Sequence, residues 1–224
     1  MIVTIDGPAG AGKSSAARAL AQRLGFDFLD TGAMYRAVTL AGLRAKTDLA
    51  DPKAMEALLA TMVLEMPAGK VLLNGEDITG LIRTPEISAA SGAVASNPAV
   101  RKQLVIWQRA VAAGRNIVCE GRDQGTIVFP DAGCKFFLEA DPEERARRRY
   151  RELTARGEKV TLDDVRRAQE IRDRRDAERQ LAPMAPAADA ICVDSTFYTA
   201  EQTVERMEHE VRRRLDASRM ENKP

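Results

Sequence analysis

Six residues precede Gly7-Pro8-Ala9-Gly10-Ala11-Gly12-Lys13-Ser14, which matches G-x-x-x-x-G-K-[ST]. This spacing constrains backbone and chemistry together. Its glycines let successive N–H groups curl round phosphate oxygens, and a helix starting behind them adds its positive dipole end. The flanks supply the required setting. Ile2-Val3-Thr4-Ile5 reads as a short β-branched strand, and residues 15–24 as a helix with Ala19, Leu20 and Leu24 on one apolar stripe. In that strand–loop–helix context Gly7, Pro8, Ala9, Gly10, Ala11, Gly12, Lys13, Ser14 and Ser15 would line a nucleoside triphosphate. Lys13 would reach the β- and γ-phosphates, and the Ser14 hydroxyl would ligate Mg²⁺.

Composition narrows the chemistry. The 224 residues suffice for one large domain, and 34 Lys+Arg against 33 Asp+Glu leave a net charge of +1, so no global field favours nucleic acid or a membrane surface. No run approaches the roughly 18 apolar residues of a membrane span. A strand opening at Ile2 leaves no room for a signal peptide, so a cytoplasmic location is expected. Cys119, Cys134 and Cys192 lack metal-site spacing; in apolar stretches they read as small buried hydrophobes in a reducing compartment. His209 is the single histidine, in a charged helical segment, which argues against Ser–His–Asp or Cys–His nucleophilic systems. Chemistry must then rest on arginine, lysine, carboxylates and a metal, as phosphoryl transfer does.

The order of elements points to an α/β fold with a parallel sheet. Strands are expected at residues 26–29, 116–119, 134–138 and 190–193, separated by helices at 33–45, 52–61, from Thr84-Pro85-Glu86 onward, and 98–113. Between residues 62 and 77, Pro67-Ala68-Gly69 and Asn74-Gly75 punctuate a small β-rich insertion. Ligands of such sheets sit beyond the carboxyl ends of the strands, where Asp30, Glu120 and Asp194 fall.

From residue 143 to 179 the chain carries 12 arginines, one lysine and ten acidic residues. The charge is nearly balanced, unlike a nucleic-acid arm, and solvated helices with i,i+4 ion pairs account for part of it. Two details suggest more. Arg172, Asp176 and Arg179 fall at i, i+4 and i+7, two guanidinium groups round a carboxylate on one expected helical face. Arg156-Gly157-Glu158 interrupts the helix and could hinge a lid over residues 148–162, whose arginine forks suit phosphate oxygens. Tyr35 and Arg36 follow Asp30-Thr31-Gly32, and Gly121-Arg122-Asp123 follows a buried strand, so further cations lie near strand ends.

Assembled, these segments resemble the bacterial cytidylate kinase family. The blocks are Ile5-Asp6-Gly7-Pro8, Leu29-Asp30-Thr31-Gly32-Ala33-Met34-Tyr35-Arg36, the run from Glu120-Gly121-Arg122-Asp123 to Phe129-Pro130-Asp131-Ala132, Ala182-Pro183-Met184-Ala185-Pro186, and Asp194-Ser195-Thr196. The likeness covers residues 2 to about 207. It implies a P-loop NTPase fold: a five-stranded parallel sheet flanked by helices, with a monophosphate-binding insertion over residues 31–114 and a short helical lid. It implies transfer of the γ-phosphoryl group of ATP to CMP or dCMP, with Mg²⁺. A monomer is expected separately, since no coiled-coil seam or long exposed apolar helix in the sequence argues for assembly. Arg36, Arg122 and Arg172 would grip the acceptor phosphate, Arg101 and Asp123 the cytosine edge, and Tyr35 and Asp176 the sugar, with Thr31 in the same pocket. Arg179 and the arginines from 148 to 156 would close near the transferring group beside Lys13. One departure is visible: the family's base-contacting serine, nine residues before the arginine matched by Arg101, is replaced here by Gly92, with Ser91 beside it. The nearest rival is a P-loop kinase for UMP or another small acceptor. A nucleotide-dependent switch would need an N-K-x-D-like motif, which the sequence lacks. A nucleic-acid-binding module fits the near-zero charge poorly. The tail from residue 216 onward lies outside the resemblance and reads as frayed and charged.

Overall fold

A computed structural model describes residues 1–67 and 69–221. The chain divides into two compact units, Met1–Phe28 with Gly114–Pro224, and Leu29–Ala113.

The first unit is built on β1 (Ile2–Asp6), β6 (Ile117–Glu120), β7 (Cys134–Glu139) and β8 (Ile191–Asp194). With β2 (Asp27–Asp30) these complete a five-stranded sheet in the order β2-β6-β1-β7-β8. Central β1 pairs in parallel with β6, Val3 opposite Val118, and with β7, Ile5 opposite Phe136. Central β1 is buried on both faces: Val3 and Ile5, two positions apart, share one face, and Thr4 is buried on the other. α1 (Lys13–Leu24) and α8 (Ala200–Glu221) cover the sheet. Ala16, Ala17, Leu20 and Ala21 of α1 meet Val204, Met207 and Val211 of α8 in one core with Phe136 and Leu138. Of the expected stripe, Leu20 is fully buried, and Ala19 and Leu24 are partly buried and pack against this core. Two further helices, α6 (Pro142–Ala155) and α7 (Leu162–Ala177), pack against each other.

The second unit consists of α2 (Thr31–Arg44), α3 (Pro52–Leu59), α4 (Pro85–Ser96), α5 (Pro98–Ala112) and the antiparallel strands β3 (Leu64–Glu65), β4 (Leu72–Leu73) and β5 (Glu76–Asp77). Each helix opens on a side-chain cap, from Asp30, Asp51, Thr84 and Asn97, and three of them carry proline in their first turn. Proline there loses no hydrogen bond, and the cap oxygen takes an orphan N–H.

Several expectations need correction. α2 starts at Thr31, not residue 33, because the Asp30 carboxylate accepts from the Ala33 N–H at 2.8 Å and pulls the two intervening residues into the first turn. Cys119 and Cys134 are buried, with burial pushing the Cys134 thiol up to about 11, but Cys192 is exposed. It lies on edge strand β8, whose alternation turns Val193 inward and Cys192 out. α7 ends at Ala177, so Arg179 leaves the helical face on which Arg172 and Asp176 sit. α8 continues to Glu221 across the stretch expected to fray; residues 222–224 lie outside the described residues, as does Ala68 of the insertion. Gly157, at φ +80°, does end the run of α6, as its sequence position suggests.

Candidate active site

β1 delivers the chain directly into the glycine loop. Gly7 adopts φ +138°, and a Cβ there would stand 2.1 Å from the Leu138 carbonyl oxygen, so no other residue fits. Gly12, at φ +89°, precedes α1 without any side-chain cap, so the N-terminal turn of that helix keeps its dipole end for an anion. Lys13 is buried, and its Nζ donates to the Pro8 carbonyl at 2.6 Å across the loop. Burial lowers its pKa to about 7, with the Arg122 and Arg172 guanidinium groups adding to the fall and Glu120 opposing it. A lysine so desolvated among cations gains most when phosphates arrive.

The Ser14 hydroxyl donates to Glu120 Oε1 at 2.6 Å, at the carboxyl end of β6. One hydroxyl beside one carboxylate, with no cluster of three acidic, histidine or cysteine ligands among the described residues, suits an ion held chiefly by water and substrate phosphates. A divalent metal ion fits that donor set.

After β6 the chain turns sharply through Gly121-Arg122-Asp123 into a π-type turn at Gln124–Val128. Buried Asp6 fastens that turn, accepting from the Gln124 N–H at 2.9 Å and the Gly125 N–H at 2.7 Å. Burial outweighs those two bonds and raises the Asp6 pKa to about 6. The turn presents Arg122, whose Nε donates to Asp176 Oδ2 at 3.1 Å; Arg172 Nε stands 3.9 Å from the same oxygen. Asp176 thus holds two guanidinium groups together, and both act electrostatically on Lys13. The first unit in this way gathers Lys13, Ser14, Arg122, Arg172 and Asp176. Asp123 is buried beside Arg122, whereas Arg179 follows the end of α7.

Among the remaining arginines of α6, Arg148 is committed to the fold: it donates to Ser195 Oγ at 3.0 Å and the Ser195 carbonyl at 2.7 Å. Ser195 Oγ lies 3.3 Å from the Ala11 carbonyl of the loop. Arg145, Gln169, Asp173 and Ser195 all touch the loop or a side chain that does, yet sequence reasoning gave none of them a role. The phase of α7, with residues 169, 173 and 176 on one face, was legible; which face meets the loop was not.

In the second unit, Arg36 Nη2 and Arg83 Nη2 each stand 3.3 Å from Asp30 Oδ2. Thr31 is buried in the first turn of α2, and Tyr35 lies on that helix. Arg101 is buried, with Nη1 donating to the Ala95 carbonyl at 3.3 Å. Gly92 is buried in α4, while Ser91 Oγ donates back to the Ser88 carbonyl at 2.9 Å, within its own helix. Arg83 was not foreseen as a partner of Asp30; nothing local in sequence links positions 53 apart.

A family model described as cytidylate kinase matches residues 3–213. The chain belongs to that family. A cytidylate kinase of Solibacter usitatus is 45% identical over 221 residues, covering 98% of this chain and 95% of that protein. One of Pelotomaculum thermopropionicum is 49% identical over 209 residues, covering 90% and 92%. Among solved structures, an uncharacterised protein of Eubacterium ventriosum superposes with a TM-score of 0.52 at 11% identity, covering 94% of this chain and 98% of its own, a likeness of fold alone. His209, the single histidine, sits exposed on α8.

Proposed function

We propose that this protein transfers the γ-phosphoryl group of ATP to CMP or dCMP, giving ADP and CDP or dCDP. The observation that carries this reading is a glycine loop with a buried Lys13 in the same unit as Arg122 and Arg172, whose guanidinium groups Asp176 draws together. Cations so placed neutralise charge on transferring and accepting phosphates, and transfer between phosphates needs little else. The acceptor oxygen is ionised at neutral pH, so no general base is required. Lys13 binds the donor phosphates within the span Gly7, Pro8, Ala9, Gly10, Ala11, Gly12, Ser14 and Ser15. Mg²⁺, held through Ser14, supplies further charge neutralisation when bound.

Arg36, Arg122 and Arg172 bind the acceptor phosphate; Arg101 and Asp123 read the cytosine edge, Asp123 accepting from the exocyclic amino group that uracil lacks; Thr31, Tyr35 and Asp176 hold the nucleoside. Residues 31–114 serve as the monophosphate-binding subdomain, and 148–162 as a lid whose arginines beyond Arg148, which Ser195 holds, close together with Arg179 near the transferring group. The enzyme works as a monomer in the cytoplasm on small nucleotides. The family membership and the arginine cluster beside the loop support this reading.

A panel of monophosphates with ATP and Mg²⁺, followed by ADP release, tests it. CMP and dCMP are expected to exceed UMP in kcat/KM by at least about tenfold, the discrimination of one base-edge hydrogen bond. Equal or faster turnover of UMP, or of a non-nucleotide alcohol, removes the assignment.

A further inference from the structure

Both backbone groups of Ala9, in two successive peptide units of the glycine loop, are held by three side chains from α6 and α7. The Ala9 carbonyl accepts from Arg145 Nη1 at 3.0 Å and from Gln169 Nε2 at 3.4 Å. The Ala9 N–H donates to Asp173 Oδ1 at 3.4 Å. Arg145 and Asp173 pair with each other, and Gln169 Nε2 also reaches the Arg145 carbonyl at 3.4 Å. Contact is tight: a Cβ on Gly10 would stand 2.5 Å from Gln169 Nε2. Arg145 and Gln169 are buried, so little water competes for these bonds.

A buried peptide group needs partners, but water or backbone could supply them. Placing a carboxylate against a loop built for polyanions is costly unless a cation neutralises it, and Arg145 does. The pair is therefore sensitive to phosphate. Donor phosphates repel Asp173 and attract Arg145, which changes how both hold Ala9. Asp173 immediately follows Arg172 and stands three residues before Asp176, within a single helical turn. That shared turn is the route by which a change at Asp173 would reach the arginine pair that Asp176 assembles.

We infer that Arg145, Gln169 and Asp173 are positioning residues that join the phosphate loop to α7, so that donor binding raises affinity for the acceptor monophosphate. This rests on the proposed reading of Arg172 and Asp176 as acceptor ligands.

Calorimetric titration of CMP into the full chain, with and without saturating adenylyl imidodiphosphate and Mg²⁺, tests it. The wild type is expected to bind CMP about tenfold tighter with the analogue present, in the ordinary range of coupling between sites. Asp173→Asn and Gln169→Ala are each expected to reduce that ratio to about twofold or less, while the affinity for CMP alone stays within about threefold. A merely structural role would weaken both ligands and leave the ratio intact, which overturns the inference, as does a wild type with no coupling. Should Asp173→Asn fail to fold by circular dichroism, Gln169→Ala decides, since the Arg145 bond to Ala9 survives it. A wild type that binds no CMP overturns the functional reading and this inference together. CMP binding with an unchanged ratio overturns the coupling alone.

Discussion

Asp6 does its work through two oxygens. It closes β1 and holds the N–H groups of Gln124 and Gly125, which aims the turn bearing Arg122 and Asp123. Its pKa, raised by burial from 3.8 to about 6, has a definite consequence for stability. The folded state binds the proton more tightly than the unfolded chain, so the contribution is full below pH about 4 and lost as pH rises through about 6. In urea unfolding, the stability of wild type minus that of Asp6→Asn is expected to fall by about 3 kcal/mol across that window, two pKa units' worth, then level off. A flat difference between pH 4 and 7 contradicts it. Arg122 is the second residue on which much depends. Arg122→Ala would remove the proposed fork-shaped phosphate contact and leave buried Asp176 short of a donor, so kcat/KM for CMP is expected to drop by about 30- to 800-fold, the equivalent of about 2–4 kcal/mol. A folded variant with full kcat/KM refutes that role.

α7 depends on how it begins as well as on what it packs against. Its mean character is strongly polar, its buried residues are few, and a capping box at Thr161 and Asp164 secures its first turn. Thr161→Ala is expected to cost about 1 kcal/mol in thermal unfolding and to raise the KM for CMP more than that for ATP, because Arg172 and Asp176 ride on this helix. Equal changes in both KM values would show that the helix does not serve the acceptor selectively. The elements also show where local sequence carries information. Caps and prolines marked the starts of α3, α4 and α5 to within a residue, because those signals act over three or four positions. The end of α7 before Arg179 was missed; there the Asp176 carbonyl accepts from the Met184 N–H at 2.8 Å, a partner eight positions on in a segment with no helical periodicity to announce it. The exposure of Cys192 was missed as well: an apolar run cannot say that its strand lies at the sheet edge.

For the whole molecule we expect a monomer of 24.5 kDa in sedimentation equilibrium at micromolar concentration, with or without nucleotides. Its most exposed large apolar residues, Phe197, Met220, Ile171 and Val63, fall in separate elements rather than in one seam. A dimer mass would require a face that this distribution does not reveal. At this scale the division between sequence and structure is sharp. The phosphate loop, its flanking strand and helix, the parallel sheet and the family blocks were all readable, because each is encoded by neighbours a few positions apart or by hydrophobic runs of fixed period. The strand order, the clasp of Asp6 on the Gln124–Val128 turn, the pairing of Arg122 with Asp176 and the enclosure of Ala9 by α6 and α7 were decided only in three dimensions. These contacts join residues 54 to 164 positions apart, and no local propensity specifies which buried carboxylate will meet which guanidinium once the core has closed.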